Sequence, residues 1–373
     1  MPEELTSLLA DLVAIDSQNP VLVPGAPGEG ELARYVAAWL DAAGFEVEVE
    51  EAAPRRPNVI GVAKGAGGGR TLMLNAHMDT VGFGGMEGAL EPRVENGRLY
   101  GRGAYDMKGS LAAILVAARD AAAEELAGDV VVTAVADEEV ASVGTGAVAA
   151  TRRADGAIVA EPTELQVAVA HRGFVAFEVE TVGRAAHGSR PELGIDAIAH
   201  MGHVLVGLHA LDRSLRAEPS HRLLRSGSLH AGVIEGGIEF STYPDKCLLT
   251  GERRTIPGET TDAVLRELVE LLEQAEQEVE DLEASARVSF ARDPFEVPDD
   301  DPLVELVMRH AGATSVVGVP FWTDAALLAG AGIPTVVFGP AGEGAHADEE
   351  WVDLASVERC AEVLAAVARE FCG

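Results

Sequence analysis

The 373-residue chain is 47% hydrophobic and carries 61 acidic against 28 basic residues, a formal net charge of −33. That length and apolar content supply a sizeable core, point to two domains rather than one, and exclude a disordered chain. So large a negative charge repels phosphate backbones and anionic headgroups, which excludes nucleic acid and membrane surfaces as partners and leaves small molecules.

In chain order, Met1 to Ile15 carries Glu3, Glu4 and Asp11 where a secretory leader carries positive charge, and it reads as an amphipathic helix. No run of about 18 apolar residues occurs, so no membrane span is expected. A helix is expected over Leu32 to Ala43, and another, rich in Ala, Leu and Ile, from Ser110 to Leu126 with Gly128 ending it. Four short apolar runs, Thr71 to Ala76, Val130 to Ala136, Ala157 to Ala160 and Thr335 to Phe338, read as buried strands. Strands alternating with helices predict an α/β fold with a mostly parallel, helix-covered sheet.

From about Phe174 the pattern changes to alternating polar and apolar residues, as in half-exposed antiparallel strands. The expected order is strand Phe174 to Val182, helix Ile195 to Leu211, strand Ser228 to Ile234, strand Lys246 to Arg254, helix Thr261 to Asp281 and strand Arg287 to Ala291. This is the β-α-β-β-α-β order of a ferredoxin-like unit. The Pro- and Asp-rich segment Asp293 to Pro302 then links back to α/β sequence. The organisation predicted is a domain over 1–172, an inserted ferredoxin-like α+β domain over 173–292, and the second part of the first domain over 293–373.

Cys247, Cys360 and Cys372 are widely spaced and odd in number, which fits a reducing cytoplasm rather than a disulfide framework. Positive charge is almost all arginine, with lysine only at Lys64, Lys108 and Lys246. Such a bias accompanies GC-rich genomes, saline cytoplasm and heat adaptation alike.

Metal-ligand residue types follow each apolar run: His77-Met78-Asp79, Asp137-Glu138-Glu139, Glu161-Pro162 and, a few residues past the last, His346. In open α/β sheets the ligand crevice lies beyond the carboxyl ends of the strands, so these groups should converge. The segment Gly101-Arg102-Gly103-Ala104-Tyr105-Asp106 adds a carboxylate before a helix. Its GxGxxD lacks the third glycine of a dinucleotide fingerprint, which leaves a nucleotide-binding oxidoreductase poorly supported. Singly, each group reads as an ordinary polar loop residue. Together, two imidazoles and three carboxylates suit zinc or a similar divalent metal and exceed the three protein ligands of a single catalytic zinc.

With these motifs the chain resembles the metallopeptidase family of aminoacylases, acetylornithine deacetylase, succinyl-diaminopimelate desuccinylase, glutamate carboxypeptidases and related dipeptidases. The resemblance covers nearly the whole chain. It rests on His77-Met78-Asp79, Gly101-Arg102-Gly103 with Asp106-Met107-Lys108-Gly109, Asp137-Glu138-Glu139, Glu161-Pro162-Thr163, and Gly339-Pro340 leading to Ala345-His346 and Glu349-Glu350. It implies two zinc ions, with cobalt or manganese as alternatives, bridged by Asp106. His77 and Glu161 would complete one position, and Glu139 and His346 the other. Asp79 would accept a hydrogen bond from the His77 ring and fix its tautomer. Glu138 would be the general base; adjacent side chains of an extended segment point opposite ways, so Glu138 and Glu139 can face different targets. An acidic pair capping the next helix is the plainer reading of these two residues.

In the inserted domain, His187 lies in Gly183-Arg184-Ala185-Ala186-His187-Gly188-Ser189-Arg190-Pro191. A lone turn histidine is ordinarily a surface residue. The resemblance implies instead that His187 enters the active site of a partner in a homodimer formed through this lid or dimerisation domain, and hydrogen-bonds the oxyanion. Arg254, in Glu252-Arg253-Arg254-Thr255-Ile256-Pro257-Gly258-Glu259, matches the family arginine that grips the substrate carboxylate; its plainer reading is an ion pair with Glu252 or Glu259. Ser241 stands where many relatives carry a substrate-binding asparagine. His200, His203 and His209 read as helix-face residues.

The expected activity is therefore hydrolysis of the amide bond of a small N-acyl amino acid, acetylornithine deacetylase-like or desuccinylase-like, through a water activated by two zinc ions. A carboxypeptidase or dipeptidase is the alternative within the class. A catalytically silent binding protein of the same fold is the rival outside it, and such a protein would lack a ligand or the base.

Overall fold

A computed structural model describes residues 2–373. By internal contacts the chain divides into two units. The first contains the residues up to Val169, then Val297–Val317 and Thr323–Gly373; the second contains Ala170–Glu296 with Gly318–Trp322.

The first unit opens with α1 (Pro2–Ala14) and α2 (Gly30–Ala42), then the hairpin β1 (Glu46–Ala53) and β2 (Arg56–Ala63) and strand β3 (Leu72–His77). Short strands β4 (Arg93–Glu95) and β5 (Arg98–Tyr100) precede α3 (Gly109–Ala122), β6 (Val130–Val135), α4 (Val143–Thr151), β7 (Gly156–Val159) and the start of β8 (Ala168–His171). Every residue of β3, β6 and β7 is buried, as a strand covered on both faces requires. The strand order is β1-β2-β6-β3-β7, and β6, β3 and β7 are parallel.

The second unit holds β9 (Gly173–Val182), α5 (Ala197–Ala217), β10 (Ser228–Gly236), β11 (Lys246–Thr255), α6 (Thr261–Glu278), β12 (Glu283–Arg292) and β13 (Phe295–Glu296). Its sheet runs β10-β11-β9-β12, antiparallel throughout. The alternation along β9 turns Val175, Phe177 and Val179 into a core with Met201, Val204 and Leu208 of α5 and Val264 and Leu268 of α6.

The chain closes through β14 (Val317–Val319), with α7 (Pro302–Ala311) before it and α8 (Ala325–Gly330), β15 (Thr335–Val337), β16 (Gly342–Glu343), β17 (Trp351–Asp353) and α9 (Leu354–Cys372) after it. Strand β15 adds in parallel beside β7. Strands β16, β17, β5 and β4 form a separate small sheet.

The expected α/β architecture holds, with the hairpin β1–β2 and the short strands β4, β5, β8, β13, β14, β16 and β17 beyond the strands expected; the other differences lie at element ends. Helix α3 stops at Ala122 instead of Leu126. The Leu126 and Ala127 carbonyls accept the amides of Ala66 and Gly67, so that stretch belongs to a loop contact. Helix α5 runs on to Ala217 because Leu215 continues the apolar stripe of Leu208 and Leu211 onto the same core. Helix α6 ends at Glu278, three residues short of the expected Asp281. Strand β12 begins at Glu283 because its pairing with β9 extends to Val182.

Candidate metal centre

Four parallel strands, β6, β3, β7 and β15, end at one rim of the first unit's sheet. His77 is the last residue of β3, bonded into the sheet and 1% exposed. Glu161 lies just past β7 and is also buried. Asp106 sits in an irregular turn, Ala104–Lys108, whose Asp106–Met107 peptide is cis. Gly103 before it has φ +76°, and a Cβ there would come within 2.6 Å of the Thr80 methyl.

These elements bring the five expected ligands together. His77 Nε2 stands 3.0 Å from Asp106 Oδ1 and 3.7 Å from Glu161 Oε1. His346 Nε2 stands 3.4 Å from Asp106 Oδ2 and 3.0 Å from Glu139 Oε2. Glu138 falls in one cluster with His77 and Glu161, and Glu139 in another with His77 and Asp106. The adjacent pair thus divides between two groups of donors, and it does so from a hydrogen-bonded turn, in which the Ala141 amide donates to the Asp137 carbonyl, rather than from the extended segment expected.

The donor set fits a divalent cation. His77 Nδ1 lies 2.9 Å from the Asp79 carbonyl oxygen, an acceptor, so Nδ1 donates there and Nε2 is the ring atom left to face the carboxylate oxygens. Glu139 Oε1 is buried without a hydrogen-bond partner among the described residues. Burial, followed by the neighbouring Glu161 carboxylate, pushes Glu138 well above the usual carboxylate range; burial does the same to Glu161. The His346 ring is pushed up to about 10 by its bonds to Asp106 and Glu139. Buried carboxylates at such spacing call for a cation among them.

One expectation is corrected. The Asp79 carboxylate is not the acceptor for the His77 ring, since its Oδ1 is 3.7 Å from Nδ1 and the nearer acceptor is the Asp79 backbone carbonyl. The carboxylate instead accepts the backbone N–H groups of Glu138 at 3.0 Å and Glu139 at 3.2 Å, and the Asn19 amide at 2.8 Å. A loop that has just left a strand has unpaired amides, and Asp79 satisfies two of them.

Beneath that loop lies a charged network that sequence reading missed. Asp137, in the left-handed region at φ +72°, pairs with Arg56 at 2.9 Å and accepts from Asn19 at 3.0 Å. Arg56 donates in turn to Glu29, whose Oε1 also accepts the Asp137 amide at 3.2 Å. All four side chains are buried. Asp324, at the start of α8, is another omission; it accepts from Thr145 Oγ1 at 2.6 Å, and burial pushes it up to about 6.

The candidates of the second unit are placed as follows. His187 is exposed, with Nδ1 2.8 Å from Ser189 Oγ. Arg254 on β11 donates Nε to Glu252 at 2.6 Å, so the ion pair weighed against its substrate role does form, while Glu259 pairs with Arg253. Ser241 donates to Glu239 at 3.1 Å. His200, His203 and His209 lie along α5, as expected.

The family model described as Peptidase family M20/M25/M40 matches residues 73–370. An acetylornithine deacetylase of Myxococcus xanthus is 33% identical over 380 residues, covering 99% of this chain and 98% of that protein. Another, of Proteus mirabilis (strain HI4320), is 30% identical over 353 residues, covering 91% of this chain and 90% of that protein. Among solved structures, aminopeptidase PepT from Bacillus cereus ATCC 10987 has a TM-score of 0.83 at 22% identity, covering 100% of this chain and 99% of that one. Bacillus subtilis YXEP, a dinuclear metal binding peptidase, has a TM-score of 0.76 at 17% identity, covering 100% and 98%. The two structural likenesses show the fold.

Proposed function

This chain belongs to peptidase family M20/M25/M40 and is a metal-dependent amide hydrolase, and from that footing we propose a deacylase of small N-acyl amino acids, of the acetylornithine deacetylase kind. One observation carries the two-metal reading: each oxygen of Asp106 has a histidine ring nitrogen facing it, His77 at 3.0 Å and His346 at 3.4 Å. Asp106 would bridge, His77 and Glu161 would complete one position, and Glu139 and His346 the other. Zinc is the first choice for both, with cobalt or manganese as alternatives. The ions would supply Lewis-acid polarisation of the scissile carbonyl and of the attacking water.

The remaining steps fall to side chains. Glu138 takes a proton from the water as its oxygen bonds to the carbonyl carbon, then delivers that proton to the amide nitrogen as the C–N bond breaks, leaving a free carboxylate and an amine. Burial, the first cause of its raised proton affinity, would favour its holding the proton between the two transfers. Arg254 would pair with the carboxylate of the substrate, exchanging Glu252 for it. His187 of a second copy would donate to the oxyanion. The dimer is supported by the open edge of the second unit: Val233 and Ile234 on the edge strand β10, Ile238 at 90% exposure, and a fully exposed Phe240. An apolar strand edge of this kind ordinarily gains a partner.

Among the described residues no helix is long and apolar enough to cross a membrane. The three cysteines are buried and unpaired, which fits a reducing cytoplasm. A hydrolysis screen tests the substrate: N-acetylornithine and other acetyl, succinyl and formyl amino acids set against dipeptides, with zinc, cobalt and manganese each supplied. Turnover of acyl amino acids is expected. Turnover of dipeptides alone would replace the deacylase reading with a peptidase.

A further inference from the structure

The two halves of the centre are held by different means. His77 ends a buried central strand and Glu161 follows another, so sheet pairing and burial fix that half. Asp106 and His346 both lie in irregular segments. His346 has φ +63°, follows Gly344 at φ +89°, and leaves 55% of its side chain exposed. Neither a regular element nor packing secures it.

A buried ion pair joins these two segments. Strand β17 pairs Trp351 with Tyr100 of β5, so the residues just before and after, Glu350 and Gly101, are neighbours, and the Gly101 amide donates to the Glu350 carbonyl at 3.2 Å. The Glu350 carboxylate then takes four donors. Oε1 accepts the amides of Tyr105 at 2.9 Å and of Asp106 itself at 3.0 Å, and Oε2 accepts the Gly103 amide at 3.0 Å and Arg102 Nη1 at 2.8 Å. Arg102 Nη2 reaches the carbonyl of Ala347, the residue after His346, at 2.8 Å. Arg102 is 2% exposed and Glu350 1%. Charge-assisted bonds to a guanidinium fork and to several amides at once impose geometry as well as attraction.

We propose that the Arg102–Glu350 pair is a positioning clip that sets the spacing of Asp106 and His346, and through it the hold of the Asp106–Glu139–His346 position on its metal. The clip touches neither substrate nor ion, and it reaches the His77–Glu161 half only through the shared Asp106. This inference rests on the two-position reading above.

The test is a zinc titration of the metal-free full chain by calorimetry, with circular dichroism to confirm folding. Wild type is expected to take up two ions, and His346→Ala, which deletes a ligand of the position in question, supplies the reference pattern. Glu350→Gln keeps the shape but loses the charge and part of the acceptor set; Arg102→Lys keeps the charge but cannot span Glu350 and Ala347 together. Both are expected to bind the ion of the Asp106–Glu139–His346 position about 10–100-fold more weakly, the usual cost of losing a partner that orients a ligand, and the other ion, which keeps His77 and Glu161 and shares only Asp106, with a smaller loss. A folded variant that binds both ions with wild-type affinity, or weakens both equally, overturns the clip. Unfolding of both variants overturns it too, since the pair would then serve the fold as a whole. A wild type that takes up a single ion defeats the two-position reading itself, and the proposal with it.

Discussion

Asp79 Oδ1 accepts the backbone N–H of Glu138 at 3.0 Å, so a carboxylate on the loop after β3 fixes the turn of the loop after β6. Its other oxygen takes the Glu139 amide at 3.2 Å, which makes Asp79 the common support of the proposed base and of a proposed ligand. Asp79→Ala is expected to lower kcat by about 10–100-fold with a parallel weakening of metal binding, and Asp79→Asn, which retains one acceptor oxygen, by less. Steady-state kinetics with metal analysis on both variants decides it; equal losses for Asn and Ala would mean that charge rather than acceptor geometry is what matters.

Glu138 and Glu139 belong to different donor clusters, and their substitution should separate accordingly. Glu138→Gln is expected to keep its metal and lose about 10²–10⁴-fold in turnover, the scale of general acid–base catalysis. Glu139→Gln should lose metal together with activity. Indistinguishable metal contents in the two variants would undo the division of roles.

The metal rim was legible because a parallel strand buried on both faces is an unbroken apolar run, and its first ionisable residue marks the carboxyl end of the strand. His77 and Glu161 announce themselves in that way; after β6 the first ionisable residue is Asp137, which turns to Arg56, and Glu139 comes two residues later. Asp106 and His346 do so less directly, since they lie on irregular segments: Asp106 stood out as a carboxylate before a helix and His346 as a ligand type a few residues past the last apolar run. Glu29, Arg56 and Asn19 were illegible: each is a single polar residue in a loop or at a strand end, and burial as one network exists only after folding. Asp79 shows a finer limit, because spacing can put a residue beside a ring without saying whether its side chain or its carbonyl faces the nitrogen. The two- and three-residue strands of the small sheet are too short to show any periodicity.

Asp324 gives a pH-dependent signature. Burial holds its carboxyl at about 6, above the ordinary 3.8, with Asp79 adding to the rise and Thr145 and His77 opposing it. An acid whose pKa is raised on folding binds more protons folded than unfolded between those two values, so its contribution to stability falls as pH rises through that window and is level above it. Asp324→Asn is therefore expected to stabilise the metal-free protein by on the order of 1–3 kcal/mol at about pH 7.5 and to change little near pH 4. Denaturant unfolding at the two pH values reads this directly, and an equal effect at both would show that the ionisation of Asp324 is not the cause.

A net charge of −33 on 373 residues repels itself across the whole surface. Raising sodium chloride from about 0.01 to about 1 M shortens the screening length from about 30 to about 3 Å, which removes most of that repulsion. The Tm is expected to rise with salt, and a gain of about 1 kcal/mol corresponds to about 1 °C for a chain of this length. Potassium chloride should act equally, because screening is indifferent to the monovalent ion. A Tm that falls or stays level over this range would show that the 28 basic residues already compensate locally, through pairs such as Arg152 with Glu48 and Arg287 with Glu178.

His187 and the exposed edge of the second unit can be tested together. The edge strand β10 presents Val233 and Ile234, and Ile238 and Phe240 follow it, all of them exposed. Self-pairing along one edge gives a two-fold interface in which each copy offers the same surface, so whatever one subunit lends to the other is lent in return. If His187 is lent to the partner's centre, His187→Ala should lower turnover by about 10²–10³-fold, the scale of a lost oxyanion donor, with little loss of metal. Mixing His187→Ala subunits with Glu138→Ala subunits then gives a distinctive result. In a mixed dimer one centre collects both defects, while the other combines a wild-type Glu138 with a wild-type His187, so activity should reappear. Subunit exchange is established first with differently tagged chains. Exchange without recovery of activity, or a fully active monomer, would leave His187 as a surface residue bonded to Ser189 and would remove the partner from the mechanism.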